Sequence, residues 1–159
     1  MKRRDRKSDC PVNFALEIFG DAWSLLVIRD LMFKGRDTYG DFLKGGEGIA
    51  TNILADRLLK LEREGIIHKE SSLGASPGHY RLTTKGLDLL PVLLEIIRWS
   101  AKYDLNTAAD REFVDRLNSE PQALVADLRT GLLPHIANPE IAVRKGAAKS
   151  KSTKESDHR

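Results

Sequence analysis

Thr51, Asn52, Asp56, Arg57 and Lys60 lie close together in the stretch GIATNILADRLLKLEREGII, residues 48–67. Leu54, Leu58 and Leu61 fall at i, i+4 and i+7 and give that stretch a buried helical stripe. The five polar residues lie off the stripe, and their chemistry suits the edges of nucleic-acid bases. Asn grips adenine through two hydrogen bonds, Arg takes guanine or a phosphate, and Asp accepts from cytosine. Each also has a plainer reading. Asp56 stands four residues before Lys60, the spacing of an ion pair along a helix. Arg57 would equally serve as a structural ion-pair partner, and the whole face would otherwise be merely solvated.

Cys10 is the chain's one cysteine, so an internal disulfide is impossible. It precedes Pro11 and follows a basic stretch; a helix N-terminus and nearby Lys and Arg favour the reactive thiolate. The residue is therefore a candidate redox sensor that would pair across a dimer, set against the alternative of a small buried core residue. His68, His79, His135 and His158 are scattered, with no ligand set at metal spacing, so no metal site is expected. The chain has no dinucleotide fingerprint, phosphate loop or nucleophile elbow. Neither an enzyme nor a cofactor is expected.

The elements that would position these residues follow from pattern. Residues 1–9 and 144–159 read as basic disordered tails, poor in apolar residues. They carry net charges of +3 and +4, whereas residues 10–143 carry −4, so the overall +3 comes from the tails. The basic pI thus says nothing about a nucleic-acid surface on the folded part. No apolar run approaches a membrane span and no secretory signal is recognisable, so a cytoplasmic protein without membrane partners is expected.

Pro11 suits the first turn of a helix that carries Val12, Phe14, Ala15, Ile18 and Phe19 and stops at Gly20. Asp21 caps a second helix, apolar nearly all round, that ends at Gly35. A short third helix fits TYGDFLKG, with Tyr39, Phe42 and Leu43 inward. After the Leu54 helix the period changes. IIHKESS and HYRLT read as two strands around a GASPG turn, with Tyr80 and Leu82 on one face and His79 and Arg81 on the other. A long helix follows, capped by Thr83 or Thr84, with Pro91 inside it and apolar residues on two faces. Two short amphipathic helices complete the folded part, marked by Phe113, Val114 and Leu117 and then by Leu124, Val125 and Leu128. The expected fold is mainly α with a small β-hairpin wing (α+β), a winged helix-turn-helix with extra C-terminal helices. Residues 10–105 would form the DNA-binding and dimerisation domain and 106–143 a helical extension, which either extends the dimer or covers the domain.

The segments CPVNFALEIFGDAWSLLVIRDLMFKG, TYGDF, GIATNILADRLLKLEREGII and YRLTTKGLDLLPVL, in that order, resemble the HxlR-type winged helix-turn-helix regulators. The resemblance implies a homodimeric transcription factor whose helices before and after the winged core form the dimer interface. It also implies that the Thr51–Arg57 helix reads DNA, that the 71–79 hairpin tip touches the adjacent backbone or minor groove, and that a cysteine in the Cys10 position senses oxidants or electrophiles in several relatives. Two departures stand out. Ala50-Thr51 replaces a frequent Ser-Pro, so Thr51 would cap the helix and shift its start, and the hairpin tip is poor in Arg and Lys.

The expected DNA contacts are Thr38, Tyr39, Thr51, Asn52, Asp56, Arg57, Lys60, Lys69, His79 and Arg81. The wide apolar surface points to a dimer seam of Phe14, Ile18, Phe19, Leu87, Leu94, Ile97 and Trp99. The function expected is sequence-specific regulation of transcription by a homodimer on a pseudo-palindromic promoter site. Double-stranded DNA and a second copy are then the partners, with an oxidant or small-molecule effector as a further possibility. The competing reading is a winged-helix protein-interaction module without specific DNA binding.

Overall fold

A computed structural model describes residues 8–70 and 77–137. The chain runs through α1 (Pro11–Phe19), α2 (Ser24–Arg29, continued by a π-helical turn, Asp30–Lys34), α3 (Tyr39–Leu43) and α4 (Thr51–Arg63). Then come β1 (Ile67–Glu70) and β2 (His79–Leu82), α5 (Thr84–Leu87), α6 (Leu90–Tyr103), α7 (Arg111–Ser119) and α8 (Pro121–Leu132), which ends in a 3₁₀ turn, Leu133–His135. Of the expected tails, 1–9 and 144–159, only residues 8 and 9 are among those described, and residues 71–76 of the expected 71–79 hairpin tip lie outside them.

Local chemistry explains most boundaries. Asp21 accepts from the backbone N–H groups of Trp23 and Ser24, both at 2.9 Å, and so caps α2 as its position suggests. Thr38 accepts from Asp41 N–H and starts α3. Thr83 accepts from Gly86 N–H, and the long expected helix is in fact two, α5 and α6. Pro91 therefore occupies the first turn of α6, where its missing N–H costs nothing, and bends no helix. Thr51 is not a cap. Ala50 takes that position with no side-chain hydrogen bond, and Thr51 is already helical.

The strands pair antiparallel from Ile67 opposite Leu82 to Glu70 opposite His79. Tyr80 and Leu82 are buried and His79 and Arg81 half-buried, as the alternation predicts. A backbone hydrogen bond from Tyr80 N–H to Asp37 carbonyl, 2.7 Å, stitches this wing to the start of α3. At the other end α5 presses so close that a Cβ on Gly86 would lie 2.1 Å from the Ile66 carbonyl oxygen. Only a glycine fits there.

One apolar cluster unites the chain: Ile28, Leu54, Leu58, Leu61, Ile66, Leu90 and Leu94, joined by Leu117 of α7 and Leu124 of α8. The C-terminal helices thus cover the winged core. Arg98 donates to the Leu117 carbonyl at 2.7 Å and Arg129 pairs with Asp88 at 2.9 Å, holding them in place. Ile18, Leu87 and Leu94, expected on a seam between two copies, are correspondingly buried in their own chain. A helix apolar on two faces turns one of them inward, and sequence alone does not say which. Phe19 and Ile97 are only partly buried, against the same core. The residues left outward on α6 are Val92, Ile96, Trp99 and Tyr103 at i, i+4, i+7 and i+11, and on α1 Val12 and Leu16, with Phe14 at the edge of exposure.

Candidate nucleic-acid interface

α4 is the element on which the site rests. Its inner stripe of Leu54, Leu58 and Leu61 is essentially sealed from solvent. Its outer face, at i, i+4, i+7 and i+11, presents Asn52, Asp56, Leu59 and Arg63, all exposed, with Thr51 exposed at the start. The first turn has no side-chain cap and no acidic residue. Its unsatisfied N–H groups and the positive end of the helix dipole therefore face outward, the arrangement that binds phosphate oxygens. The Tyr39 hydroxyl donates to the Thr51 carbonyl at 2.8 Å and fixes the angle between α3 and α4.

The remaining expected contacts are held by acidic neighbours. Arg57 Nη1 lies 3.4 Å from Asp21 Oδ2 and its Nη2 lies 3.2 Å from Asp56 Oδ2. Lys60 Nζ lies 3.9 Å from the same Asp21 oxygen. These two cations flank α4 on the α2 side rather than crowning its outer face. Asp21 and Arg57 are far apart in sequence, which is why helix periodicity alone left the role of Arg57 open.

On the wing, Asp37 gathers His79 Nδ1 at 3.0 Å, without an aligned hydrogen bond, and Arg81 Nη1 at 3.5 Å. Arg81 Nε also reaches Glu70 at 3.4 Å. Lys69 is exposed, with its ammonium 5.5 Å from the centre of the Tyr80 ring. Thr38 spends its hydroxyl on Asp41, donating at 2.6 Å, and so builds the scaffold. The structure therefore brings Thr51, Asn52 and Asp56 onto one open edge, tethers Arg57 and Lys60 of the same helix to Asp21, and tethers His79 and Arg81 of the wing to Asp37.

Leu59 was missed in the sequence. It is 67% exposed in the middle of the polar face, where solvation alone favours a charged residue. Its spacing of seven from Asn52 is the signal that could have found it. A leucine there is suited to the methyl group of thymine, the one apolar feature in the major groove.

Asp21 has a pH signature. Burial works to raise its carboxyl, but the hydrogen bonds from the Ser24 hydroxyl and the Trp23 and Ser24 N–H groups, with Arg57 beside it, outweigh burial and hold it below its ordinary value of 3.8. Glu47 is likewise lowered, chiefly by its hydrogen bond from Arg29. A lowered carboxylate stabilises the fold above its unfolded pKa and loses that contribution as pH falls through the folded value. Stability is expected to decline on acidification below the ordinary carboxylate range, and Asp21→Asn should flatten that decline; chemical unfolding followed by circular dichroism at a series of pH values measures both.

Cys10 is exposed at the start of α1, so the buried alternative does not hold. Among the described residues no group of three His, Cys, Asp or Glu could hold a metal ion. No single described helix is long and apolar enough to cross a membrane.

Comparison with known proteins adds an independent line. The family model described as HxlR-like helix-turn-helix matches residues 18–107. The chain is 36% identical over 86 residues to the HTH-type transcriptional regulator sll1512 of Synechocystis, 54% of this chain and 63% of that one, so it spans a little under two thirds of that relative. It is 31% identical over 115 residues to the HTH-type transcriptional regulator YdeP of Bacillus subtilis, 72% of this chain and 84% of the relative. Among solved structures, the redox regulator HypR in its reduced form superposes with a TM-score of 0.54 at 29% identity, covering 58% of this chain and 92% of HypR.

Proposed function

Since the chain belongs to the HxlR-like helix-turn-helix family of transcriptional regulators, we propose that it acts in the cytoplasm as a homodimer, laying its two α4 helices in successive major grooves of a pseudo-palindromic promoter site to block or assist polymerase. The observation that carries this reading is the outer edge of α4. Thr51, Asn52, Asp56 and Leu59 stand open to solvent on a helix whose other side is locked into the core. Packing makes that edge rigid, and a rigid edge can discriminate bases. Thr51 and Asn52 reach base edges, Leu59 meets a thymine methyl, and the uncapped first turn takes a phosphate. Arg57, Lys60, Lys69, His79 and Arg81 serve the backbone, with Asp21 and Asp37 setting how far four of them extend.

The second copy joins through the outward stripe of α6 and the exposed apolar residues of α1. A twofold dimer places its reading helices about 34 Å apart, one turn of DNA. Exposed Cys10 and the resemblance to a redox regulator support oxidant sensing as well. In that step two Cys10 thiols of a dimer give up two electrons and two protons to a peroxide-class oxidant and form a disulfide.

Fluorescence anisotropy with a labelled duplex tests the reading. Affinity should fall with salt along a log–log slope of about −0.9 per phosphate neutralised. Asn52→Ala should cost about 1–3 kcal/mol on a preferred duplex and leave random-duplex binding unchanged. Binding that ignores both salt and Asn52 would favour the protein-interaction module instead.

A further inference from the structure

A cavity of about 720 Å³, lined by none of the α6 stripe's residues, opens between the wing, the π-helical end of α2 and the C-terminal helices. Its walls are Met32 and Phe33 from the π turn, Leu82 from β2, and Leu128, Leu132 and Ile136 from α8 and the turn after it. That volume lies in the range of small-molecule sites, and the mix of an apolar lining with a few polar groups is theirs too. Gly131 also lines it, and a Cβ built there meets no atom within 4 Å. The π-helical turn is a second sign, since such turns recur at functional sites.

The polar groups at the cavity define its occupant. Asp37 is already matched by His79 and Arg81, and Asp127 by Arg116, while His135 stands exposed at the rim. A charged ligand would compete with the paired groups, whereas a neutral one leaves them intact and can hydrogen-bond to His135. We propose that this cavity is an effector site for a neutral, largely apolar small molecule, formed only because the C-terminal helices close over the wing.

The site is placed to act on the wing. Tyr80, Arg81 and Leu82 of β2 line it, and so does Asp37, which grips His79 and Arg81. The parallel bridge between Leu82 and Ile136, with Ala137 N–H donating to Leu82 carbonyl at 2.8 Å, couples the C-terminal wall to the same strand. Occupancy that shifts this wall shifts β2, and with it His79 and Arg81, which the DNA-binding reading assigns to the phosphate backbone. This regulatory part rests on the DNA-binding reading above; the binding part does not.

Nile red, a neutral apolar fluorophore, is the probe. The full chain without DNA should give saturable emission at one probe per chain. Gly131→Phe and Leu128→Trp, which fill the cavity, should weaken that binding at least tenfold while circular dichroism stays native. Glu112→Gln, at an exposed position of α7 that does not line the cavity, should leave it unchanged. No saturable binding, full binding by both filled variants, or loss in Glu112→Gln would overturn the site. With the probe bound, duplex affinity should change about fivefold or more, the usual scale of coupling between sites. Unchanged affinity in a chain that binds both probe and DNA would overturn the coupling alone. A chain that binds the probe but no DNA would overturn the reading of α4 and leave the site standing.

Discussion

Asp30→Ala is expected to lower the unfolding free energy by about 3 kcal/mol, the lower end of the cost of breaking a buried ion pair. Asp30 is only 4% exposed, at the junction of α2 and its π turn. Arg29 donates to it twice, at 2.9 and 2.6 Å, and Arg36 approaches both its oxygens at 3.3 Å. Removing the carboxylate leaves two cations facing an emptied core position. Both guanidinium side chains are a quarter to a third exposed, so part of the loss is recovered by water, which sets the estimate at the lower end. Asp30→Asn, which keeps the shape and one acceptor, should restore a portion of it. In thermal unfolding the alanine variant should melt about 10 °C lower. The effect reaches the reading helix as well. Arg29 also donates to Glu47 at 2.6 Å, and Arg36 to the Gly45 carbonyl at 3.4 Å. Both acceptors lie in the turn that delivers the chain to α4, so loosening the hub loosens the start of that helix.

Ile96→Glu should convert the proposed homodimer to monomer and weaken duplex binding about 100-fold or more. The residue sits in the outward stripe of Val92, Ile96, Trp99 and Tyr103, with Trp99 and Tyr103 stacked at 5.3 Å between ring centres. In the proposed homodimer a twofold axis passing this stripe brings Ile96 near its own copy, so one substitution would bury two like charges. Two tethered half-site contacts exceed one by about 10²–10⁴ in affinity, and a monomer forfeits that gain. Analytical ultracentrifugation reads the assembly and anisotropy reads the binding. In its own chain Ile96 is 45% exposed, so the monomer's fold should be unharmed. A variant that stays dimeric would place the second copy on another face.

Much of the scaffold was legible because local rules and packing agree. The Leu54, Leu58 and Leu61 stripe, the alternation of HYRLT and the capping aspartate at position 21 each follow from short-range periodicity or hydrogen-bond chemistry, and each stands as read. The departures share a cause: they depend on neighbours remote in sequence. Leu87 and Leu94 have the same residue type as a seam would, yet the core claims them, while Trp99, only five residues beyond Leu94, points out. Thr51 has capping chemistry, but Ala50 adopts the extended cap backbone and the Tyr39 hydroxyl claims the Thr51 carbonyl. Helix spacing offers Lys60 a partner in Asp56 and leaves that of Arg57 open, yet the carboxylate beside both is Asp21, remote in sequence. The cavity at Gly131 needed the tertiary structure, since it is defined by what does not pack against that residue.

Selecting duplexes from a random pool with the full-length chain, in parallel with Asn52→Ala, tests the central claim most directly. A homodimer reading DNA through α4 predicts enrichment of a pseudo-palindrome whose half-sites are centred about 10 base pairs apart, with the preference at one position in each half relaxed by Asn52→Ala. A pool that emerges unenriched, or a site that Asn52→Ala leaves unaltered at every position, would contradict it.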